Sequence, residues 1–129
     1  MNRMRTTCGA ALLAATAALL PATAAHAAGG YDRCVSGDIC FFSGDNGSGS
    51  MCSWSGDDPD WRNGSIVCSW SADKNVKSVY NHGTVQAYDH VVYYKGANYS
   101  DRVGCENAGS KVNLAGTYHV RSHKWTTSC

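Results

Sequence analysis

Six cysteines stand close together in a short stretch of chain, and they constrain its fold more than any other feature. Of the seven in the 129-residue sequence, Cys8 lies in an N-terminal segment built for removal. Arg3 and Arg5 form a positive start, an Ala-rich apolar run follows, and Ala25-His26-Ala27 is a small-x-small cleavage site, the layout of a secretory signal peptide. Residues 1–27 are therefore expected to be a leader and residues 28–129 a single domain. That domain keeps Cys34, Cys40, Cys52, Cys68, Cys105 and Cys129. An exported chain this small buries a modest fraction of its surface, so disulfides are the expected supplement to its core. Six cysteines allow many connectivities. The expectation is sequential pairing, Cys34 with Cys40, Cys52 with Cys68 and Cys105 with Cys129, each closing a local loop. Zinc is the competing use of these thiols, but the spacing from Cys34 to Cys40 is wider than a usual ligand pair and an oxidising compartment favours disulfides.

Composition removes several functions. The formal net charge of +1 turns slightly negative once Arg3 and Arg5 leave with the leader, and no basic run remains. Neither a nucleic acid nor an anionic membrane surface is an expected partner. The apolar run of the leader is about 12 residues, short of the roughly 20 that span a bilayer. The chain is expected to be extracellular and monomeric.

Glycine, Asn, Asp and Ser punctuate the mature sequence at short intervals, and no window keeps apolar residues at helical spacing. The pattern reads as all-β. Strands are expected at 39–42, 50–54, 66–70, 76–80, 91–94, 101–105 and 116–122, with turns at Asp45-Asn46-Gly47, Asn63-Gly64 and Asn81-His82-Gly83. An internal repeat organises them. Phe41-Phe42-Ser43-Gly44-Asp45-Asn46-Gly47-Ser48 aligns with Tyr93-Tyr94-Lys95-Gly96-Ala97-Asn98-Tyr99-Ser100 at a constant offset, and a cysteine follows each copy, Cys52 and Cys105. Cys52-Ser53-Trp54-Ser55 echoes Cys68-Ser69-Trp70-Ser71, which suggests two paired strands with Cys and Trp on one face. Two related four-strand units are expected.

An aromatic followed by a Gly-containing turn and a further small residue suits a folded-over hairpin in a Greek key. Here the sequence resembles the βγ-crystallin domain, whose signature is an aromatic, a second aromatic five residues on, and a Gly two beyond. Phe42, Gly47 and Gly49 meet it at the first and last positions; Tyr94, Tyr99 and Asp101 meet it at the first two. The Cys-x5-Cys opening, Ile39-Cys40-Phe41-Phe42 and Lys77-Ser78-Val79-Tyr80-Asn81 are similar to the secreted streptomycete metalloproteinase-inhibitor family. The resemblance implies a βγ-crystallin-like double Greek-key β-sandwich and a peptidase inhibitor. It also implies a reactive bond at a cysteine in the second half of the domain. The matching residues are Val103, Gly104, Cys105, Glu106 and Asn107, with Cys105 braced to Cys129. Glu106 stands where a hydrophobic side chain would enter an apolar protease pocket, and burying an unpaired carboxylate there is unfavourable.

Other chemistry is sparse. His119 and His123, four residues apart on an expected strand, are too distant to share an ion and should face solvent beside Arg121. Asp57, Asp58 and Asp60 form an acidic loop, the only serious calcium candidate. A crystallin-type calcium pattern falls on Asp73-Lys74-Asn75-Val76-Lys77-Ser78, where Lys74 and Lys77 would repel the ion. No cofactor is otherwise expected. Glu106 is the sole glutamate and no nucleophile motif occurs, so the chain does not read as an enzyme. Asn46, Asn63 and Asn98 open formal glycosylation sequons. Trp54 and Trp70 are expected to pack against disulfides. Trp61, between Asp60 and Arg62, is expected to be exposed and to contact a partner. The expected function is a secreted inhibitor of an extracellular protease. The alternative is a non-inhibitory crystallin-like module for calcium or glycan, with antimicrobial action in some such proteins.

Overall fold

A computed structural model describes residues 30–129; the leader read at residues 1–27 lies outside them. Seven strands form two antiparallel sheets, and the described residues hold no helix beyond single 3₁₀ turns. The strands are β1 (Ile39–Phe42), β2 (Met51–Trp54), β3 (Ser78–Asn81), β4 (His90–Tyr94), β5 (Arg102–Glu106), β6 (Lys111–Asn113) and β7 (Ser122–Thr126). The first sheet has the order β2-β1-β3-β6 and the second β5-β4-β7. β6 follows β5 in the chain yet pairs with β3 of the other sheet, while Asp58, in the first half, bridges to His123 on β7. This exchange between halves is compatible with a double Greek key.

Alternation along β1 explains why all four of its residues are buried. Ile39 and Phe41 point between the sheets into a core with Trp54, Trp61, Cys68, Val76, Val79, Val91, Tyr93 and Val120. Cys40 and Phe42 point outward, under Cys34, Tyr31, Met51 and Tyr80. The chain closes its bonds as Cys34–Cys40, Cys52–Cys68 and Cys105–Cys129. The 16-residue separation of the middle pair gives it about 3 kcal/mol in the chain-entropy account.

The repeat has a physical counterpart. Phe41 and Tyr93, equivalent positions on the central strands, meet at 5.4 Å across the core. Asn46 and Asn98 both adopt left-handed backbone, with φ of 55° and 57°. Each folded hairpin is pinned by a buried serine. The Ser78 hydroxyl donates to the Gly44 carbonyl at 2.6 Å and accepts from the Gly47 amide at 2.9 Å. The Ser122 hydroxyl donates to the Gly96 carbonyl at 2.6 Å and accepts from the Tyr99 amide at 3.2 Å. In the second hairpin Tyr94 and Tyr99 pack edge to face; in the first, where Gly47 replaces the second aromatic, Tyr31 packs on Phe42 instead. A Cβ at Gly47 would collide with Tyr31, so the departure from the signature makes room for that ring. Ser78→Ala and Ser122→Ala would each strand a carbonyl and an amide. Each is expected to cost about 1–3 kcal/mol in urea unfolding. A loss under about 0.5 kcal/mol for both would show that these hydroxyls do not pin the hairpins.

Several strands fall elsewhere than the sequence suggests. Residues 66–70 are a loop running into a 3₁₀ turn, Ser69–Ala72, so Cys52-Ser53-Trp54 and Cys68-Ser69-Trp70 are not paired strands; a disulfide and the shared core join them. The segment 116–122 alternates like a strand, but its backbone is taken up by loops. Tyr118 O accepts from Val76 N and Arg121 O from Trp61 N, and regular pairing with β4 begins only at Ser122. The short strand β6 was not expected, and it makes the sheets four- and three-stranded rather than two equal units.

Candidate functional site

Val103, Gly104, Cys105 and Glu106 belong to β5, an edge strand paired only with β4, and Asn107 begins the turn after it. Most of this segment is thus a strand, as expected for 101–105, and it covers Tyr93. Gly104 lies opposite Tyr93, and a Cβ there would overlap the phenol. The Tyr93 hydroxyl donates to Glu106 Oε1 at 3.0 Å, and Ser110 donates to Oε2 at 2.7 Å. Burial first, and then the adjacent carboxylate, push the Tyr93 phenol well above its ordinary range, so it remains a donor. Glu106 therefore binds inward. Cys129 ties the exposed chain end to this strand.

A second segment has the character of an exposed contact loop. Residues 62–67 are all exposed, and the residues on either side, Trp61 and Cys68, are completely buried. Trp61 is the main correction to the sequence reading. Its polar neighbours suggested exposure, yet it has 0% of its surface exposed: the ring stacks on Trp54 at 4.5 Å, packs on Phe41 at 4.7 Å and donates to His123 Nδ1 at 2.9 Å. His123 is likewise buried rather than facing solvent, and its Nε2 donates to the Gly56 carbonyl at 2.8 Å. With Nδ1 accepting and Nε2 donating the ring is neutral, and desolvation lowers its pKa to about 4. His119 is half-buried, its Nδ1 2.8 Å from the Ser71 carbonyl.

Three further contacts hold the loop. The Cys68 amide donates to the Trp61 carbonyl at 2.8 Å and closes its neck. The Cys52–Cys68 disulfide fixes one end to β2. At the other, the Asp60 carboxylate accepts from the Arg62 amide and from Asn63 Nδ2, both at 3.0 Å. Arg121 donates to Asp60 at 2.9 and 3.0 Å, and this hydrogen bonding holds the Asp60 carboxyl far below the usual carboxylate range. The loop carries Ile66 and Val67, 45% and 53% exposed, and forms one wall of a cleft of about 410 Å³ opposite the 55–60 loop. Sequence reading missed this pair because two adjacent aliphatic residues before Cys-Ser-Trp read as a strand. The Asn63-Gly64 turn was the available signal for a loop.

The acidic loop works as structure. Asp58 accepts from Trp54 Nε1 at 2.8 Å and from the Asp60 amide at 3.0 Å, Asp60 is spent on Arg121, and Asp57 accepts from the Trp125 amide at 2.7 Å. In the second calcium-like pattern Asn75 donates to the Gly116 carbonyl and Ser78 is committed to its hairpin. Among the described residues no group of three or more His, Cys, Asp or Glu is placed to hold a metal ion. Of the sequon asparagines, Asn46 and Asn63 are themselves hydrogen-bonded, to Asn113 and Asp60. Among the described residues no helix is long and apolar enough to cross a membrane.

The model of peptidase inhibitor family I36 matches residues 27–106, well over half of the chain. No curated protein matches. The matched span contains the 62–67 loop and all of β5, so the match does not choose between them.

Proposed function

The chain belongs to peptidase inhibitor family I36, and from that premise we propose that it is a secreted protein that binds and blocks an extracellular protease without turning over a substrate of its own. The family match carries this reading, and the leader-like residues 1–27 support export. The scaffold suits the task. A substrate-like inhibitor must hold its contact segment rigid, because ordering it on binding would consume the affinity that the interface supplies. Three disulfides and a two-sheet core remove most of that cost. A standard interface of roughly 1,600 Å² is well within reach of such a surface. A metalloprotease is the target class that the resemblance to the streptomycete inhibitors favours.

β5 offers one contact mode, since an edge strand can add to the extended substrate strand of a protease cleft. With Glu106 bound inward by Tyr93 and Ser110, that strand would contribute backbone hydrogen bonds rather than a pocket-filling side chain.

The test is titration of the oxidised protein, residues 28–129, against thermolysin, subtilisin and papain, scoring residual activity. Stoichiometric loss of activity of one enzyme is expected, and calcium should not be required for binding. Full activity of all three at micromolar excess of inhibitor would count against the reading.

A further inference from the structure

Family membership does not say which surface meets the protease. We propose that the 62–67 loop is the segment that enters the protease cleft, with Ile66 and Val67 filling its apolar specificity pockets. This rests on the inhibitor reading above and adds the contact residues to it.

Two observations carry the assignment, and a third point follows from the second. First, Ile66 and Val67 are half exposed and adjacent in sequence, whereas the other exposed large apolar residues among those described, Val35, Val85 and Tyr88, have no such immediate neighbour. The described residues leave about half of each uncovered. Second, the loop projects while its neck is fixed from both sides. Trp61 is locked under Trp54 and Phe41, Cys68 is bonded to Cys52, and the Trp61 carbonyl accepts from the Cys68 amide. The Asp60–Arg121 pair holds the Arg62 amide and the Asn63 side chain in place. Little chain entropy is left to lose on docking. Third, the same anchors keep a cut loop in register. Hydrolysis of one peptide bond adds water across it and makes a carboxylate and an amine, but neither new end could leave. One stays attached to the buried Trp61, the other to the disulfide at Cys68, so the cleaved bond remains poised for the reverse reaction. Slow release of products is what separates an inhibitor from a substrate.

Charge also favours this loop over β5. Ile66 and Val67 are uncharged, and the carboxylates across the cleft, Asp57, Asp58 and Asp60, each accept internal hydrogen bonds, whereas the side chain that β5 would present, Glu106, is itself an acid held by two internal donors.

The experiment compares the oxidised wild-type protein with Ile66→Asp, Val67→Asp and Val85→Asp against whichever of thermolysin, subtilisin or papain it inhibits. Val85 is 89% exposed on the loop between β3 and β4 and serves as the control for a generic apolar contact. All three sites are exposed, so the variants should unfold at the wild-type temperature. The expected result is an inhibition constant raised at least about 100-fold by Ile66→Asp or Val67→Asp, since a carboxylate would be forced into an apolar pocket, and unchanged by Val85→Asp. If the wild type inhibits and both loop variants stay within about threefold of it, the loop is not the contact and the proposal falls while the inhibitor reading stands. A loss on Val85→Asp alone would likewise overturn it, placing the contact at the other loop. If the wild type inhibits nothing, the inhibitor reading itself fails.

Discussion

Replacing Trp61 with alanine is expected to cost about 4 kcal/mol or more of folding stability, one of the largest single-site effects open to this protein. Removing a fully buried tryptophan typically costs about 3–5 kcal/mol through lost transfer energy and the cavity left behind. Here the indole does more than fill space. It stacks on Trp54, packs against Phe41 and supplies the only donor to His123 Nδ1 shown among the described residues, so the variant also leaves a buried imidazole nitrogen without a partner. That adds about 1–3 kcal/mol where no water replaces the donor. Against a typical total of about 5–15 kcal/mol, such a variant would sit near its unfolding midpoint under mild denaturant. The check is urea unfolding followed by circular dichroism with disulfides intact. Trp61→Phe, which keeps most of the packing and loses the donor, should fall between wild type and Trp61→Ala. A loss below about 1.5 kcal/mol for Trp61→Ala would mean that the ring is not the anchor its contacts imply.

The second large effect is a pH dependence centred on His123. Its folded pKa is about 4, lowered by desolvation, against about 6.5 in an unfolded chain. Between these values the unfolded state binds the proton and the folded state does not, so stability increases with pH across this window. The contribution is complete above about pH 6.5, declines as pH falls towards 4, and changes little below that, where both states are protonated. Its size is about 3 kcal/mol. Asp60 titrates in a separate window. Its carboxyl, held low by Arg121, contributes stability that is present above the ordinary carboxylate range and is lost at still lower pH. Glutamine at 123 can accept from Trp61 Nε1 and donate to the Gly56 carbonyl without titrating. Unfolding free energies of wild type and His123→Gln measured from pH 7.5 to 4 should therefore diverge, with the wild type losing stability as pH falls and the variant flatter. Parallel curves would show that His123 does not carry the dependence.

Much of the architecture was legible because it depends on neighbours in sequence. Asn and Gly tolerate left-handed backbone, so Asp45-Asn46-Gly47 and its echo around Asn98 announce folded hairpins wherever the rest of the chain goes. Alternation in Ile39-Cys40-Phe41-Phe42 places one pair of side chains inward and the other outward. The offset between Phe41 and Tyr93 implied two related units, and in the fold these two rings meet across the core. The six cysteines from Cys34 onward are an even number, and all six pair as disulfides.

Local reasoning missed the features that depend on distant chain returning to cover a residue. Asp60 and Arg62 flank Trp61 and suggest solvent, yet their polarity is answered from far along the chain: Arg121 takes the Asp60 carboxylate, and His123 accepts the indole proton. Alternation can say which residues share a strand face, but not which face a neighbouring loop will cover, so His123 was expected outside. For the same reason 116–122 read as a strand; extended backbone satisfies its hydrogen bonds with whatever lies alongside, and here that is loops until Ser122. Sequence alone therefore determined the all-β character and the paired hairpins, both consequences of local backbone preference and side-chain periodicity. Tertiary structure alone decided that β6 crosses to the first sheet, that Trp61 and His123 are buried against each other, and that Ile66 and Val67 stay half exposed on a loop clamped at both ends, because burial is settled by which distant segments compete to cover each side chain.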